Sequence, residues 1–235
     1  MAASIPDRSV VEKAQVRLKR HGARNLAHTL LMKAINLAVP FKILRGVYVE
    51  KPAALFLTAP QGYEAKFLGE AELRAFAADP DNEMSADFVD AVMQKGDECY
   101  AILDGANLAA YGWYAMTPTA VGPGLLLRFS EAYVYMYKGF TGERYRGKRL
   151  HAIGMTRALR HYLSKGYKGI VSYVESINFD SLKSCFRMGY SVFGTVYVIK
   201  AFGRYYGFST PGCRKYAFRV ERAAGSSPPS LIFGK

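Results

Sequence analysis

The chain has 235 residues, of which 50% are hydrophobic, 22% are charged and 14% are aromatic. This composition excludes a disordered or fibrous chain and is sufficient for the core of one globular domain with additions. Lys and Arg number 32 against 19 Asp and Glu, for a net charge of +13, so we expect anionic partners or substrates.

Cysteine usage and hydropathy indicate the cellular setting. Cys99, Cys185 and Cys213 form an odd set without metal-ligand spacing, which argues against a disulfide framework and against zinc. No uncharged apolar run reaches the ~18 residues of a membrane span, and the first residues lack a signal-peptide layout. We therefore expect a cytoplasmic protein without a metal, and a peripheral position at the membrane stays open.

The first 45 residues are predicted to form one or two basic amphipathic helices. Apolar residues recur at helical spacing over residues 10–38, with an interruption near Gly22. Nine Lys or Arg residues lie between positions 8 and 45, with only two acidic residues among the first 45. We assign residues 1–45 to an N-terminal helical extension that either packs on the domain or docks on an acidic partner or an anionic membrane.

The rest of the chain alternates predicted strands and helices, followed by a tail from residue 223 that is predicted to be disordered. A crossover joins two neighbouring strands, which indicates an α/β domain over residues 46–222. The predicted elements are strands within 46–57, a helical stretch over 64–95 broken at 79–81, a hairpin of 99–103 and 108–116, a strand over 131–141, a helix over 148–164, a strand over 170–174, a helix over 178–188, and strands over 191–202 and 216–220.

A basic loop lies where the strand over 131–141 gives way to the next helix. Arg146, Lys148 and Arg149 surround the predicted helix start, where unpaired N–H groups and the positive end of the helix dipole favour anions. The loop therefore predicts a phosphate or pyrophosphate site. The alternative is a solvated basic first turn.

A second segment carries Asn178 and Ser181 at the start of a helix that ends at Gly189 and Tyr190. Together with the basic loop, this segment resembles the GNAT superfamily of acyl-CoA N-acyltransferases over about residues 98–220. The family pattern is a strand, an Arg-Gly-x-Gly-x-Gly type loop opening a long helix, a strand, and an Asn-x-x-Ser/Ala helix ending in Gly-Phe or Gly-Tyr. The resemblance implies a central mixed, mostly antiparallel sheet flanked by helices, here with an extra N-terminal helical segment.

The resemblance implies acetyl-CoA or another acyl-CoA as the acyl donor. Backbone groups of two residues at the end of the central strand would hold the pantetheine arm and orient the thioester carbonyl. Arg149 and His151 replace two glycines of the family loop, which leaves room for a donor bound differently. The implied donor-binding residues are Phe140, Thr141, Arg146, Gly147, Lys148, Arg149, Leu150, His151, Asn178 and Ser181.

The sequence identifies the general acid and the general base of an acyl transfer less clearly than the donor-binding residues. Many family members carry a tyrosine seven residues after the Asn, whereas this chain has Cys185, whose thiol is either the proton donor or a core group. Glu131 and Tyr135 are the candidates for the base, and Tyr135 stands six positions before Thr141, where some members place a carboxylate. The tyrosines of this strand either form a packed face or order a water that deprotonates the acceptor.

Three functional interpretations follow. The first is transfer of an acyl group, most simply acetyl, to the amine of a small molecule or protein by direct attack in a ternary complex. The second is a long-chain N-acyl amino acid or acyl-lactone synthase-like enzyme that takes its acyl group from acyl carrier protein, docked through the basic N-terminus. The third is a non-catalytic basic module that holds an anionic membrane or, as the least expected partner, nucleic acid.

Overall fold

The computed structural model describes residues 10–223, so the first nine residues and nearly all of the tail predicted to be disordered lie outside it. The helices are α1 (Val10–Ala38), α2 (Glu70–Ala77), α3 (Ala86–Lys95), α4 (Leu150–Ser164) and α5 (Phe179–Arg187). The strands are β1 (Phe41–Val49), β2 (Tyr63–Phe67), β3 (Glu98–Asp104), β4 (Asn107–Ala115), β5 (Thr119–Gly122), β6 (Leu125–Arg128), β7 (Tyr133–Thr141), β8 (Gly169–Glu175), β9 (Ser191–Ala201), β10 (Arg204–Ser209) and β11 (Arg219–Arg222).

Eight strands form one sheet in the order β10-β9-β1-β8-β7-β4-β3-β2, and β11, β6 and β5 form a second, smaller sheet. Neighbouring strands of the large sheet are antiparallel except β7 and β8, which are parallel and joined by α4. The predicted α/β class with a mixed, mostly antiparallel sheet flanked by helices is confirmed. The predicted crossover between neighbouring strands is confirmed as well.

Apolar side chains fill both faces of the large sheet. On one face, Leu159 and Tyr162 of α4 pack with Val134 and Ile170 of the two parallel strands. On the other face, residues of the small sheet pack with Val171 and Val196. A third cluster joins α2 and α3 to β3 and β4. Core side chains therefore hold the paired part of β7 and β8 on both faces of the sheet, and the unpaired ends of these strands extend from this packed part.

The N-terminal segment is joined to this sheet. The interruption predicted near Gly22 is confirmed, because Gly22 has non-helical backbone angles (φ 80°, ψ 166°) inside α1. After α1, strand β1 enters the middle of the sheet, between β8 and β9. The domain boundary expected between residues 45 and 46 falls inside β1 and is corrected accordingly: the sheet begins at Phe41.

Two further expectations differ from the structure. The helical stretch predicted from residue 64 begins at Glu70, because Tyr63–Phe67 pairs with β3 as an edge strand. Glu72 marks the true helix start, since its side chain accepts a hydrogen bond (3.0 Å) from the backbone N–H of Gly69. Residues 54–56, expected in a strand, form a 3-10 turn. The breaks predicted at 79–81 and the 99–116 hairpin are confirmed.

Candidate functional site

The two parallel strands separate towards their carboxyl ends. β7 and β8 pair at only three positions, the last being Tyr135 with Val171, although β7 continues to Thr141 and β8 to Glu175. β7 also contains a bulge at Tyr137, where its register against β4 shifts. A bulge bends a strand, so β7 turns away from β8 beyond this point.

A cavity of about 940 Å³ opens between the separated strands. Beyond Tyr135, β7 is hydrogen-bonded to β4 on one side only, so alternate backbone groups on its other side face the cavity without a sheet partner. One of them, the carbonyl of Met136, accepts a hydrogen bond (2.7 Å) from the Ser172 hydroxyl at the apex. The remaining edge can take a ligand that pairs as a strand would.

The walls combine five elements: β7, β8, α5, the second half of α1 and the first turn of α4. Of the sequence-predicted residues, the structure brings Phe140, Thr141, His151, Asn178, Ser181 and Cys185 to the walls of this cavity. α1 contributes Asn25, Leu26 and Thr29. His28 of the same helix contacts the Ser176 hydroxyl through its Nε2 at 2.9 Å. The N-terminal segment is therefore a wall of the site, which its charge pattern did not predict.

The basic loop lies at the rim, between the wall residues Thr141 and His151. Gly147 (φ 83°) and Arg149 (φ 63°) both adopt left-handed backbone conformations, and α4 starts directly afterwards. Arg149 therefore keeps the backbone shape that a glycine would favour. The first-turn N–H groups of α4 have no partners within the helix. Leu150 is buried in the core (1% exposed) and anchors this turn.

The loop cations are exposed around that helix start. Arg146 pairs with Glu143 at 3.2 Å on the surface, an interaction worth little in water. The Lys148 ammonium contacts the Tyr63 hydroxyl at 3.1 Å. These side chains remain free to turn to an anion at the rim, because neither contact buries them.

His151 turns into the cavity, over the backbone of β7. A Cβ atom at Gly139 would lie 2.5 Å from the His151 ring, so the glycine makes room for the imidazole. Burial lowers the pKa of His151, and a hydrogen bond to the backbone of Tyr111 opposes this. The ring is neutral at pH 7, with one nitrogen occupied as a donor and the other available as an acceptor.

The α5 side of the cavity carries two predicted residues with different roles. The Asn178 side chain accepts a hydrogen bond from the Ser181 N–H (3.1 Å) and so caps α5, which the family resemblance did not require. Burial raises the pKa of Cys185 to about 11, so its thiol stays protonated at neutral pH. Cys185 also packs against the α4 core cluster.

Tyr190 was quoted in the sequence pattern but not predicted as a site residue. It lines the cavity, is 4% exposed, and its hydroxyl has no hydrogen-bond partner among the described residues. Burial and the nearby Cys185 raise its pKa well above the ordinary value. A buried hydroxyl without a partner is a group that a ligand can satisfy.

The structure does not bring the two predicted bases to the cavity. Glu131 is exposed and precedes β7, at the opposite end from Thr141. Tyr135 is 1% exposed, hydrogen-bonds to Tyr173, and burial raises its pKa, so it cannot accept a proton at neutral pH. Both are corrected as candidate bases: the one lies away from the cavity, and the other is a packed side chain.

A second buried polar cluster surrounds Tyr137 of β7, a residue that also lines the cavity. The Tyr137 hydroxyl donates to Asp97 (2.9 Å), and the Lys95 ammonium donates to both Asp97 oxygens (2.7 and 3.0 Å) and to Thr119 (2.9 Å). Asp97 is 6% exposed, and burial raises its pKa while lowering that of Lys95. Every polar side chain in this cluster has a partner, which is the arrangement of a structural network.

Among the side chains that the structure describes, no group of three or more His, Cys, Asp or Glu is arranged to hold a metal ion. Within the same part of the chain, no helix has the length and apolar character needed to cross a membrane.

Comparisons with known proteins give a likeness in fold. No family model and no curated protein matches the chain. Among solved structures, a GCN5-related N-acetyltransferase-like protein from Streptococcus suis is 14% identical with a TM-score of 0.48, covering 74% of this chain and 66% of that one. A GNAT-family acetyltransferase from Colwellia psychrerythraea is 14% identical with a TM-score of 0.45, covering 72% and 60%.

A tandem GNAT protein from the clavulanic acid biosynthesis pathway is 12% identical with a TM-score of 0.47, covering 83% of this chain and 58% of that one. The chain thus spans about two thirds or less of the length of these three proteins. Structural neighbours of the chain thus include GNAT-family acetyltransferases, at low sequence identity.

Proposed function

We propose that the protein is an N-acyltransferase that binds an acyl thioester in the cavity between β7 and β8 and transfers the acyl group to an amine. The observation that carries the proposal is the separation of these strands after Tyr135, next to the basic start of α4. It joins an unpaired strand edge, a cavity and an anion-binding helix start in one place.

The residues present fit a phosphopantetheine thioester. Its amide-bearing arm can pair with the free edge of β7 near Phe140 and Thr141, as an added strand would. Arg146 and Lys148, with the first-turn N–H groups of α4, supply donors for a pyrophosphate. When bound, the thioester supplies an activated carbonyl group, and an N–H of the β7 edge would stabilise the charge that develops on its oxygen.

In this proposal His151 accepts the proton of the acceptor ammonium. Its neutral ring lines the cavity beside Gly139, and its bond to the Tyr111 backbone leaves one nitrogen as an acceptor. The Tyr190 hydroxyl is the proton donor to the departing thiolate, since it is protonated and has no partner among the described residues. The Cys185 thiol beside it is assigned to packing.

Calorimetry with acetyl-CoA tests the donor site. Reversing charge at Arg146 and Lys148 should weaken binding by about 1.5–3 kcal/mol for each lost charge-assisted contact. The matched control reverses Arg160 and Lys168, which are exposed cations near the other end of α4. Absence of binding at millimolar acetyl-CoA, or equal weakening in both double variants, would contradict the donor site.

Acyl carrier protein is the second candidate donor, because it presents the same phosphopantetheine arm. The loop is exposed and has Arg149 in place of a glycine, which favours this alternative over a CoA nucleotide held closely by the loop backbone. A thiol-release assay with one amine panel should compare acetyl-CoA, long-chain acyl-CoA and acylated carrier protein as donors. Turnover with the carrier alone would select the second donor, and turnover with none of them would leave the protein as a binding module.

A further inference from the structure

The excess positive charge of the chain is confined to two segments. Residues 13–49 contain eight Lys or Arg and no Asp or Glu, and residues 181–220 contain seven Lys or Arg and no Asp or Glu. All other residues together hold 17 Lys or Arg and 19 Asp or Glu, so they carry no positive excess.

The fold brings the two segments together. β1 from the first pairs with β9 from the second, starting at Phe41 opposite Ile199. The Lys200 N–H donates to the Pro40 carbonyl at 2.9 Å, so the α1–β1 junction lies directly beside the β9–β10 hairpin tip. The two acid-free stretches of the sequence therefore meet at this junction, where Lys42 of the first stretch pairs with Glu175 at 2.6 Å.

Large apolar side chains are exposed near this junction. Phe202 at the hairpin tip is 97% exposed, and Leu37 at the end of α1 is 90% exposed. Leu30 lies on the same face of α1 as Leu37, two turns earlier, and is 54% exposed. Thr29 and Met32, on the opposite side of α1, are buried. The helix thus directs an apolar face outward, where a monomer in water gains nothing from it.

Exposed cations flank these apolar groups. Lys33 lies on the outward side of α1, and Lys200 and Arg204 lie on either side of the hairpin tip. We define the docking surface as Leu30, Lys33, Leu37, Lys200, Phe202 and Arg204.

We propose that this docking surface binds an anionic lipid bilayer peripherally. A bilayer supplies both chemistries at once, since headgroup phosphates attract the cations and the acyl boundary takes up Leu and Phe side chains. A second copy docked face to face would place the same cations opposite one another, which disfavours a symmetric dimer here. The proposal is independent of the acyltransferase assignment.

Docking on this surface would also orient the cavity. Leu44 of β1 lies opposite Glu175, the last residue of β8, so Phe41 and the hairpin tip extend beyond the carboxyl end of β8. That is the sheet edge at which the cavity wall residues Glu175 and Ile177 lie. The bound protein would therefore hold this edge, with its cavity, beside the headgroup layer.

Vesicle co-sedimentation of the full chain tests the proposal. The probes are phosphatidylcholine vesicles with and without about 30 mol % phosphatidylserine, at about 0.1 and 0.5 M salt. We expect binding to the anionic vesicles at low salt, little to the neutral ones, and a steep loss at high salt. Phe202→Asn with Leu37→Ser should reduce partitioning about tenfold or more, and Lys33, Lys200 and Arg204→Gln together about a hundredfold.

Matched controls separate a defined surface from overall charge. Lys51, Arg160 and Lys168→Gln remove the same charge elsewhere, and Leu55→Ser removes another exposed leucine (72% exposed). Both controls should bind like the unchanged chain, and all variants should keep its melting temperature. Equal loss in both cation triples would overturn the proposal. The proposal would also be overturned if the unchanged chain bound acyl carrier protein but not the anionic vesicles. A dimer of the unchanged chain that Phe202→Asn abolishes would overturn it as well.

Discussion

The two buried polar clusters beside β7 differ in how completely their groups are paired. In the Asp97 cluster, Lys95, Tyr137 and Thr119 satisfy the carboxylate and one another. In the cavity wall, the Tyr190 hydroxyl is buried without a partner among the described residues, and His151 keeps an acceptor nitrogen. A satisfied network stabilises the fold, whereas an unsatisfied group costs stability unless a ligand completes it.

The largest effect should come from His151. His151→Gln should lower turnover by about 10²–10⁴, because it removes the proposed general base. The pH profile provides a second readout: burial lowers the His151 pKa below 6.5, so wild-type turnover should fall only as the pH drops below that value. His161→Gln, on the same helix and outside the cavity wall, is the control and should keep both the rate and the acid limb.

Removing the carboxylate of the paired cluster should affect stability instead. Asp97→Ala leaves the Lys95 ammonium buried without its partner and should lower the free energy of unfolding by about 3–5 kcal/mol. Denaturant titration measures the change, and the folded fraction should retain its turnover. A loss below about 1 kcal/mol would show that the cluster is solvated and not a buried network.

Two tyrosine-to-phenylalanine substitutions should affect the free energy of unfolding in different directions. Tyr137→Phe removes the donor to Asp97 and should lower the free energy of unfolding by about 1–3 kcal/mol. Tyr190→Phe removes an unpartnered hydroxyl and should leave that free energy unchanged or raise it by about 1 kcal/mol, while turnover falls. Destabilisation by Tyr190→Phe with an unchanged rate would mean that its hydroxyl is structural.

The smallest effect on rate should come from Cys185. Its thiol stays protonated because burial raises its pKa to about 11, and it packs against the core. Cys185→Ala should therefore lower the free energy of unfolding by about 1 kcal/mol and change turnover only a few-fold. A loss of turnover of about 10² at an unchanged melting temperature would make Cys185 the proton donor in place of Tyr190.

The sequence predicted the central unit of the fold well, because its signals are local. The periodicity of β7, α4, β8 and α5 and the stop at Gly189 lie within one stretch of chain. The position of β1 between β8 and β9 depends on pairing with strands more than 120 residues away, which no local pattern encodes. The edge strand β2 was not predicted, because its five residues shortly precede α2 in the chain and resemble that helix in composition.

The candidate site also contains residues that a local motif predicts and residues that no local pattern predicts. The basic loop, Asn178 and Ser181 follow a motif along the chain, so their neighbourhood was predictable. The direction of the His151 ring depends on the space left by Gly139 of β7, directly beside it, and Tyr190 is distinguished only by the missing partner of its hydroxyl. Glu131 was chosen by strand alternation, which predicts a face but not which end of the strand opens into a cavity. Tyr135 was chosen by its distance from Thr141 in the family pattern, which does not show that its side chain is packed.

Hydrogen exchange of the backbone amides, with and without acetyl-CoA, shows whether an acyl donor binds between the separated strands. Binding between the separated strands should slow exchange at residues 136–141 of β7 and at the first turn of α4, residues 150–152. Exchange at Tyr133–Tyr135, where β7 already pairs with β8, should stay unchanged. Protection confined to the groove lined by Phe67, Arg157 and His161, or no protection at saturating acetyl-CoA, would contradict the account.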